Sequence, residues 1–436
     1  MTESRRLFGS ELRRMRMEAG LSLAQFGRRL HYSKGYLSKV ETGRKSPSAE
    51  LARMCDTELN ADGTLVSLVA ERPADVVTSS EMPSLEMVTD DGEVWLMNLG
   101  PDGAGWFRPI SRRDALAVSA SSMAGLALSA HGVSATAREP TALTAFRSLF
   151  DHYRTLGQTA SPGVVLPPVI AQTRVLGVLA SEAPAGTRDD LLTLGARFAE
   201  YAGWMAQESG EEKAALWLTA RAVTMAEAGN DHDLAVYALI RRALVTLYRG
   251  DARQTVALAR QAQAHSATPP RIRGLAAQRE AQGHALAGDY NACMRSLDQA
   301  RDLLGAPGGS TGAPVLGPTN LPDTVTTVTG WCLYELGRPK EASEILDAQV
   351  ARIRPEALRS RARYGVRQAL AHAAAGEIEH ACALTACLLG ITSVVSSATI
   401  TSDLRRLART LSRRHSNPTV RELYPALTAA LETSAV

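Results

Sequence analysis

The amino-acid pattern predicts an all-α protein: a small bundle of short helices, then an α-solenoid of helix pairs, with one short β-hairpin between them. Three observations carry that expectation. Alanine, leucine and arginine are abundant, aromatic residues make up only 5% of the 436, and β-branched runs are rare; such a mixture favours helix over sheet. Near the N terminus, two short stretches with helical apolar spacing flank a tight turn. From Thr141 onward, glycine-centred turns recur at intervals of 40, 38, 49 and 39 residues, as stacked helix pairs require. A chain of this length exceeds one ordinary domain. The expected segments are 1–72 for the bundle, 73–140 for a linker with the hairpin and a connecting helix, and 141–436 for the repeats.

In the bundle, Leu7 to Ala19 reads as a basic amphipathic helix. Leu7, Leu12, Met15 and Ala19 face inward, Arg5, Arg6, Arg13, Arg14 and Arg16 face outward, and Gly20 ends it. Leu21 to Pro47 then packs two more helices into one run. Ser22 is placed to cap the first, whose face is marked by Leu21, Leu23, Phe26, Gly27 and Leu30. After the turn His31-Tyr32-Ser33, Ser33 caps a second helix with Leu37 and Val40 on its inward face. Lys34, Gly35, Ser38 and Lys39 are left outward. Thr42-Gly43 closes that helix, Arg44 and Lys45 follow, and Pro47 enforces the stop. A support helix, a short turn and a second helix with a polar, basic outer face form a helix-turn-helix pattern. Ser48 caps a fourth helix through Met54, and Gly63 to Ala70 suggests a fifth.

Charge separates this module from the rest. Residues 1–60 hold 12 Lys+Arg against 7 Asp+Glu, and the remainder holds 36 against 38, so the whole surplus of the +3 chain lies at its N-terminal end. That distribution suits a nucleic-acid-binding end on a neutral body. On this pattern Lys34, Ser38 and Lys39 reach base edges. Tyr36, Arg44 and Lys45 meet the backbone, and free N–H groups at Ser22 and Ser33 point at phosphates.

Downstream, Pro73 to Pro83 reads as a linker, and Glu93–Leu99 with Gly105–Ile110 flank the turn-forming Gly100-Pro101-Asp102-Gly103. Ser111-Arg112-Arg113 before the apolar Ala115–Ala130 imitates a twin-arginine export signal, but it is internal, and a capped helix is the better reading. The repeat turns fall at Ser209-Gly210, Gly250-Asp251, Gly288-Asp289, Gly337-Arg338 and Gly376-Glu377. Ala215/Ala222, Ala257/Ala262, Ala292/Ala300 and Ala342/Ala348 mark the second helix of each pair as closely packed. Pro269-Pro270 and Pro355 are placed to open first helices. Gly305–Pro322 is an insertion flexible by composition, and 398–432 caps the array.

Nothing in the chain points to catalysis. Gly308-Gly309-Ser310-Thr311-Gly312 matches GxSxG literally, but Gly and Pro flank it where a nucleophile elbow needs a strand and a helix. His232, His265, His284, His372 and His380 are scattered. Cys55, Cys293, Cys332, Cys382 and Cys387 form no metal-type spacing and read as reduced thiols. No cofactor, metal site or membrane span is expected, and a cytoplasmic, nucleoid-associated protein is.

The run SLAQFGRRLHYSKGYLSKVETGRKSPS resembles the Xre/Cro-type helix-turn-helix regulators. Ser22, Phe26, Gly27, Ser33, Tyr36, Leu37, Ser38, Val40, Glu41, Gly43 and Pro47 occupy matching positions. With AEYAGWMAQESG and the Ala-rich repeats, the chain is similar to actinobacterial regulators that carry a tetratricopeptide-like C-terminal half. Leu23 departs from the pattern, standing where many of these domains carry Gln. The resemblance implies a transcriptional regulator acting as a homodimer on double-stranded DNA. Its operator would be palindromic, with recognition helices about 34–36 Å apart. It also implies that the repeats dimerise or sense a peptide or small-molecule effector. Tyr201, Trp204, Trp217, Tyr237, Arg241, Tyr248, Trp331 and Tyr334 are the candidate groove residues by composition, although helix-spaced aromatics usually belong to the core. The competing reading is a protein-interaction scaffold whose helix-turn-helix is a docking module.

Overall fold

The computed structural model describes residues 2–30, 32–61, 63–70, 94–99, 105–110, 140–264, 268–305 and 315–433. The expected linker at 73–83, the tetrad at 100–103, the connecting helix at 115–130 and the GxSxG stretch at 308–312 lie outside them. Among the described residues the chain is all-α apart from one antiparallel hairpin. The N-terminal module comprises α1 (Thr2–Glu18), α2 (Leu23–Arg29), α3 (Lys34–Glu41), α4 (Ala49–Glu58) and α5 (Thr64–Ala70). The hairpin pairs β1 (Val94–Leu99) with β2 (Gly105–Ile110), Val94 opposite Ile110 and Leu99 opposite Gly105. Then come α6 (Pro140–Thr159), α7 (Pro162–Glu182), α8 (Ala185–Glu208), α9 (Glu212–Ala228), α10 (His232–Tyr248), α11 (Ala252–Gln263) and α12 (Pro270–Ala287). The chain continues through α13 (Tyr290–Gly305), α14 (Thr324–Glu335), α15 (Pro339–Val350), α16 (Leu358–Ala375), α17 (Ile378–Val395), α18 (Ala398–Ser412) and α19 (Pro418–Thr433).

Two compact units divide the chain. One joins residues 1–71, 154–161 and 231–436, and the other joins 72–153 and 162–230.

In the first unit the N-terminal bundle closes over Phe8, Leu12, Phe26, Leu30, Leu37, Val40, Leu51 and Leu65. Its first helix is rotated from the expected face: Phe8 is buried, whereas Leu7 and Ala19 are exposed. Phe8, Leu12 and Met15 follow the helical period one step away from Leu7, and the larger ring takes the core. Close approach reinforces this setting, because a Cβ at Gly9 would lie 2.5 Å from the Val40 carbonyl oxygen. Arg16, expected outside, is turned in. Its Nε lies 2.6 Å and its Nη2 3.0 Å from the Glu41 carboxylate, and Nη1 donates to the Leu21 carbonyl at 2.6 Å. The pair locks α1 to the end of α3, and the Arg16 stem covers apolar surface on the way. Asp56 accepts hydrogen bonds from the backbone N–H groups of Gly63, Leu65 and Val66, and so caps α5 from α4.

The five expected repeat turns are all present, with helix pairs α8/α9, α10/α11, α12/α13, α14/α15 and α16/α17. Each turn glycine has φ between 77° and 94°. At Gly337 its N–H donates to Tyr334 O at 3.1 Å, and the N–H of Arg338 reaches back to Leu333 O at 2.9 Å. The other four turns repeat that pair of bonds, which satisfies the last carbonyls of each first helix. The alanine marks are mixed. Ala215, Ala222, Ala262, Ala292, Ala300 and Ala342 are buried, but Ala257 and Ala348 are exposed, and Ala259 and Leu346 take the inward positions beside them. Pro270 opens α12 as expected. Pro355 does not open a helix, since α16 begins at Leu358.

Two arginines hold what composition marked as flexible. Arg154 donates to the Val315 and Gly317 carbonyls, and Arg271 to those of Leu316 and Pro318, each at 3.0 Å. Arg359, only 1% exposed, binds the carbonyls of Gly157 (2.7 Å) and Ala160 (2.6 Å) at the end of α6 and that of Val395 (3.0 Å) at the end of α17. One guanidinium thereby neutralises two helix C termini.

The second unit contains the hairpin, α7, α8 and α9, with Phe150, Phe198 and Tyr201 in edge and tilted ring contacts. Against expectation, two helices among the described residues, Pro162–Glu182 and Ile378–Val395, are long and apolar enough to cross a membrane by length and composition. Each also buries apolar residues within its own unit, Leu166, Val169 and Leu176 in α7 and Ile378, Ala381 and Val395 in α17, which is how a core helix passes the same test.

Candidate nucleic-acid interface

Local hydrogen bonds set α2 and α3. Ser22 Oγ accepts from the Gln25 N–H at 3.2 Å while the Ser22 N–H donates to Gln25 Oε1 at 2.9 Å, a complete capping box. That bond overturns the expectation of a free N–H at Ser22. Ser33 Oγ accepts from the Tyr36 N–H at 3.2 Å and starts α3. Leu37 and Val40 are fully buried and anchor α3 to the bundle. Lys34, Gly35, Ser38 and Lys39 are exposed on its outer face, and a methyl added at Gly35 would meet nothing within 4 Å. Leu23 is half-buried and packs against the bundle core, so an apolar contact stands where the resemblance implies a polar one.

The exit loop folds back on the same helix. The N–H of Lys45 donates to Lys39 O at 3.0 Å, and the Lys45 ammonium sits 4.5 Å over the ring of the half-buried Tyr36. Tyr36 meets Tyr32 with ring centroids 5.2 Å apart. The other face of this ladder is Arg413, just after α18, whose guanidinium lies 4.5 Å from the Tyr32 ring centroid and donates to its hydroxyl at 2.5 Å. Cation, two aromatic rings and a second cation thus run from the edge of the outer face to the C-terminal helices. Nothing in the residue order suggests it, since the contact spans most of the chain.

A second set of contacts seats the module on repeat turns. Arg53 of α4 pairs with Glu335 at 2.5 Å, Arg406 of α18 pairs with the same carboxylate at 2.5 Å, and Thr57 Oγ1 donates to Leu336 O at 2.5 Å. Burial pushes the Glu335 carboxyl up, but the flanking Arg406 and Arg53 outweigh it and hold the group below the usual carboxylate range. A Cβ at Gly337 would lie 2.9 Å from the Arg53 carbonyl oxygen, and one at Gly288 3.1 Å from Val66 of α5. These contacts use α4, α5 and Tyr32 and leave Lys34, Gly35, Ser38 and Lys39 at the surface.

The candidate groove residues separate. Tyr201 is buried in the second unit, where its hydroxyl donates to Tyr153 O at 3.0 Å and its ring meets the half-buried Trp204. Trp217 is also half-buried in that unit. In the first unit Tyr237, Trp331 and Tyr334 are buried. Arg367 gathers two of the set, donating to the Tyr248 hydroxyl at 3.0 Å and lying 5.5 Å from the Trp331 ring centroid. Arg241 lies against its own helix neighbour Tyr237, and Arg406 lies against Tyr334. Among the described residues one three-membered group, Asp347, His372 and His380, could hold a metal ion.

A capped support helix, a tight turn and a second helix with an exposed basic face define a helix-turn-helix domain, the kind found in DNA-binding regulators. Residues 7–69 match a family model described as a helix-turn-helix domain. Neither comparison with curated proteins nor comparison with solved structures gives a match.

Proposed function

We propose that this protein is a non-enzymatic, sequence-specific DNA-binding transcriptional regulator of the Xre/Cro type, cytoplasmic and acting as a homodimer on a palindromic operator. The observation that carries the reading is the outer face of α3, with Lys34, Gly35, Ser38 and Lys39 exposed on a helix anchored by Leu37 and Val40. Ser38, Lys34 and Lys39 read base edges, and Arg44 with the Tyr36-supported Lys45 meets phosphates. The tetratricopeptide-like helix pairs supply dimerisation or the sensing of a peptide or small molecule. The gathering of Tyr248 and Trp331 around Arg367 is the observation that supports that role.

The test is a binding assay of the full-length protein on its own upstream DNA against competitor across a salt series. Lys34→Ala with Lys39→Ala is expected to weaken specific binding at least tenfold and to reduce the salt slope by about 2. Equal binding to competitor, with no effect of the double substitution, favours the scaffold reading instead.

A further inference from the structure

His372 and His380 look unrelated in the sequence, yet the fold brings them together with Asp347. Asp347 lies in the last turn of α15, His372 in the last turn of α16 and His380 in the first turn of α17. One potential ligand atom from each lies within 4.8 Å of the other two. The two rings meet edge-on with centroids 4.4 Å apart. His372 is buried, while the Asp347 side chain is 44% exposed and His380 faces solvent.

The hydrogen bonds of His372 pose a chemical question. Its Nδ1 is 2.5 Å from Glu377 Oε2, and its Nε2 is 2.8 Å from Asp347 Oδ1. Carboxylate oxygens only accept, and a neutral imidazole has one N–H to give. With Nδ1–H donated to Glu377, the Nε2 lone pair is turned toward the Asp347 carboxylate, an arrangement that a metal ion between them would satisfy. Gln368 Nε2 donates to the same Asp347 oxygen at 2.7 Å and steadies it. Glu377 occupies the place where carboxylates orient metal-bound histidines and fix their tautomer.

We propose that Asp347, His372 and His380 bind a divalent ion of the zinc class, with Glu377 as the carboxylate behind His372. Two imidazole nitrogens and one carboxylate oxygen suit zinc and its first-row neighbours and suit magnesium or calcium poorly. Bonds of about 2.0–2.1 Å from both His372 and Asp347 require those two atoms to separate to about 3.3 Å. The part-exposed Asp347 side chain and the solvent-facing His380 ring have room for that adjustment. Three protein ligands leave the remaining position to water.

The test is calorimetric titration of metal-free, untagged, full-length protein with Zn²⁺. A Cys387→Ser background removes the one exposed thiol among the described residues. One equivalent is expected to bind, with Mg²⁺ giving no heat. His380→Ala and Asp347→Ala each change a solvent-facing side chain and are expected to lower the affinity at least tenfold. Glu377→Gln is expected to lower it about tenfold while leaving the stoichiometry at one. Absence of binding at micromolar Zn²⁺, or affinity unchanged in both His380→Ala and Asp347→Ala, overturns the proposal.

Discussion

Glu335 has no solvent exposure, and two arginines from different helices share its carboxylate. Removing one charge from such a group leaves the others buried and uncompensated. Glu335→Gln is therefore expected to cost about 3–5 kcal/mol in urea unfolding. The pH dependence comes from the depressed carboxyl. Its contribution is complete above the ordinary glutamate value of about 4.3 and is lost as pH falls below that through the folded-state value. The stability gap between wild type and Glu335→Gln should stay constant from pH 7 to about 4.5 and narrow below. Asp56 makes a simpler case: Asp56→Ala removes the acceptor for three backbone N–H groups and should cost about 2 kcal/mol, read as a lower Tm. Thiol reactivity separates the cysteines, because Cys55, Cys293, Cys332 and Cys382 are buried and Cys387 is exposed. Burial pushes the thiols of Cys55, Cys332 and Cys382 up. Iodoacetamide should label Cys387 within minutes and the other four only on unfolding.

Elements whose cause is local were readable from the residues. Ser22, Ser33 and Ser48 cap α2, α3 and α4 through their own hydroxyls, and the five turn glycines end their helices through bonds to the preceding few residues. The hairpin was legible for the same reason, since a turn tetrad and its flanking runs sit together in the chain. Features decided across the chain were not. The facing of α1 turned on whether Phe8 or Leu7 met α3, and Gly9 settled it by approaching the Val40 carbonyl. Arg16 counted as surface because its partner Glu41 lies on another helix. Gly, Pro and Ser composition misjudged residues 315–322, because Arg154 and Arg271 supply from elsewhere the hydrogen bonds the segment cannot make itself. His372 and His380 looked unrelated for a comparable reason: Asp347, whose carboxylate lies within 4.8 Å of both rings, sits on the preceding helix pair.

At the scale of the whole molecule, the N-terminal module and residues 231–436 belong to one compact unit. The exposed face of α3 was legible as a basic outer surface, and the double lysine substitution tests it without touching the core. How that face is held was not legible. The Tyr32–Arg413 and Arg53–Glu335 contacts join residues hundreds of positions apart, and Arg406 reaches Glu335 from 71 positions away. Gly337, at the edge of that group, serves two masters, ending α14 with a left-handed backbone and leaving room for the Arg53 carbonyl. Gly250 serves one, since nothing lies within 4 Å of where its Cβ would be. Asparagine satisfies a left-handed turn but fills the space. A deep mutational scan scored by thermal stability should therefore accept asparagine at Gly250 and reject it at Gly337. The tolerance map of otherwise equivalent turns would then trace the outline of the DNA-facing module on the helices that carry it, as a shadow traces the object that casts it.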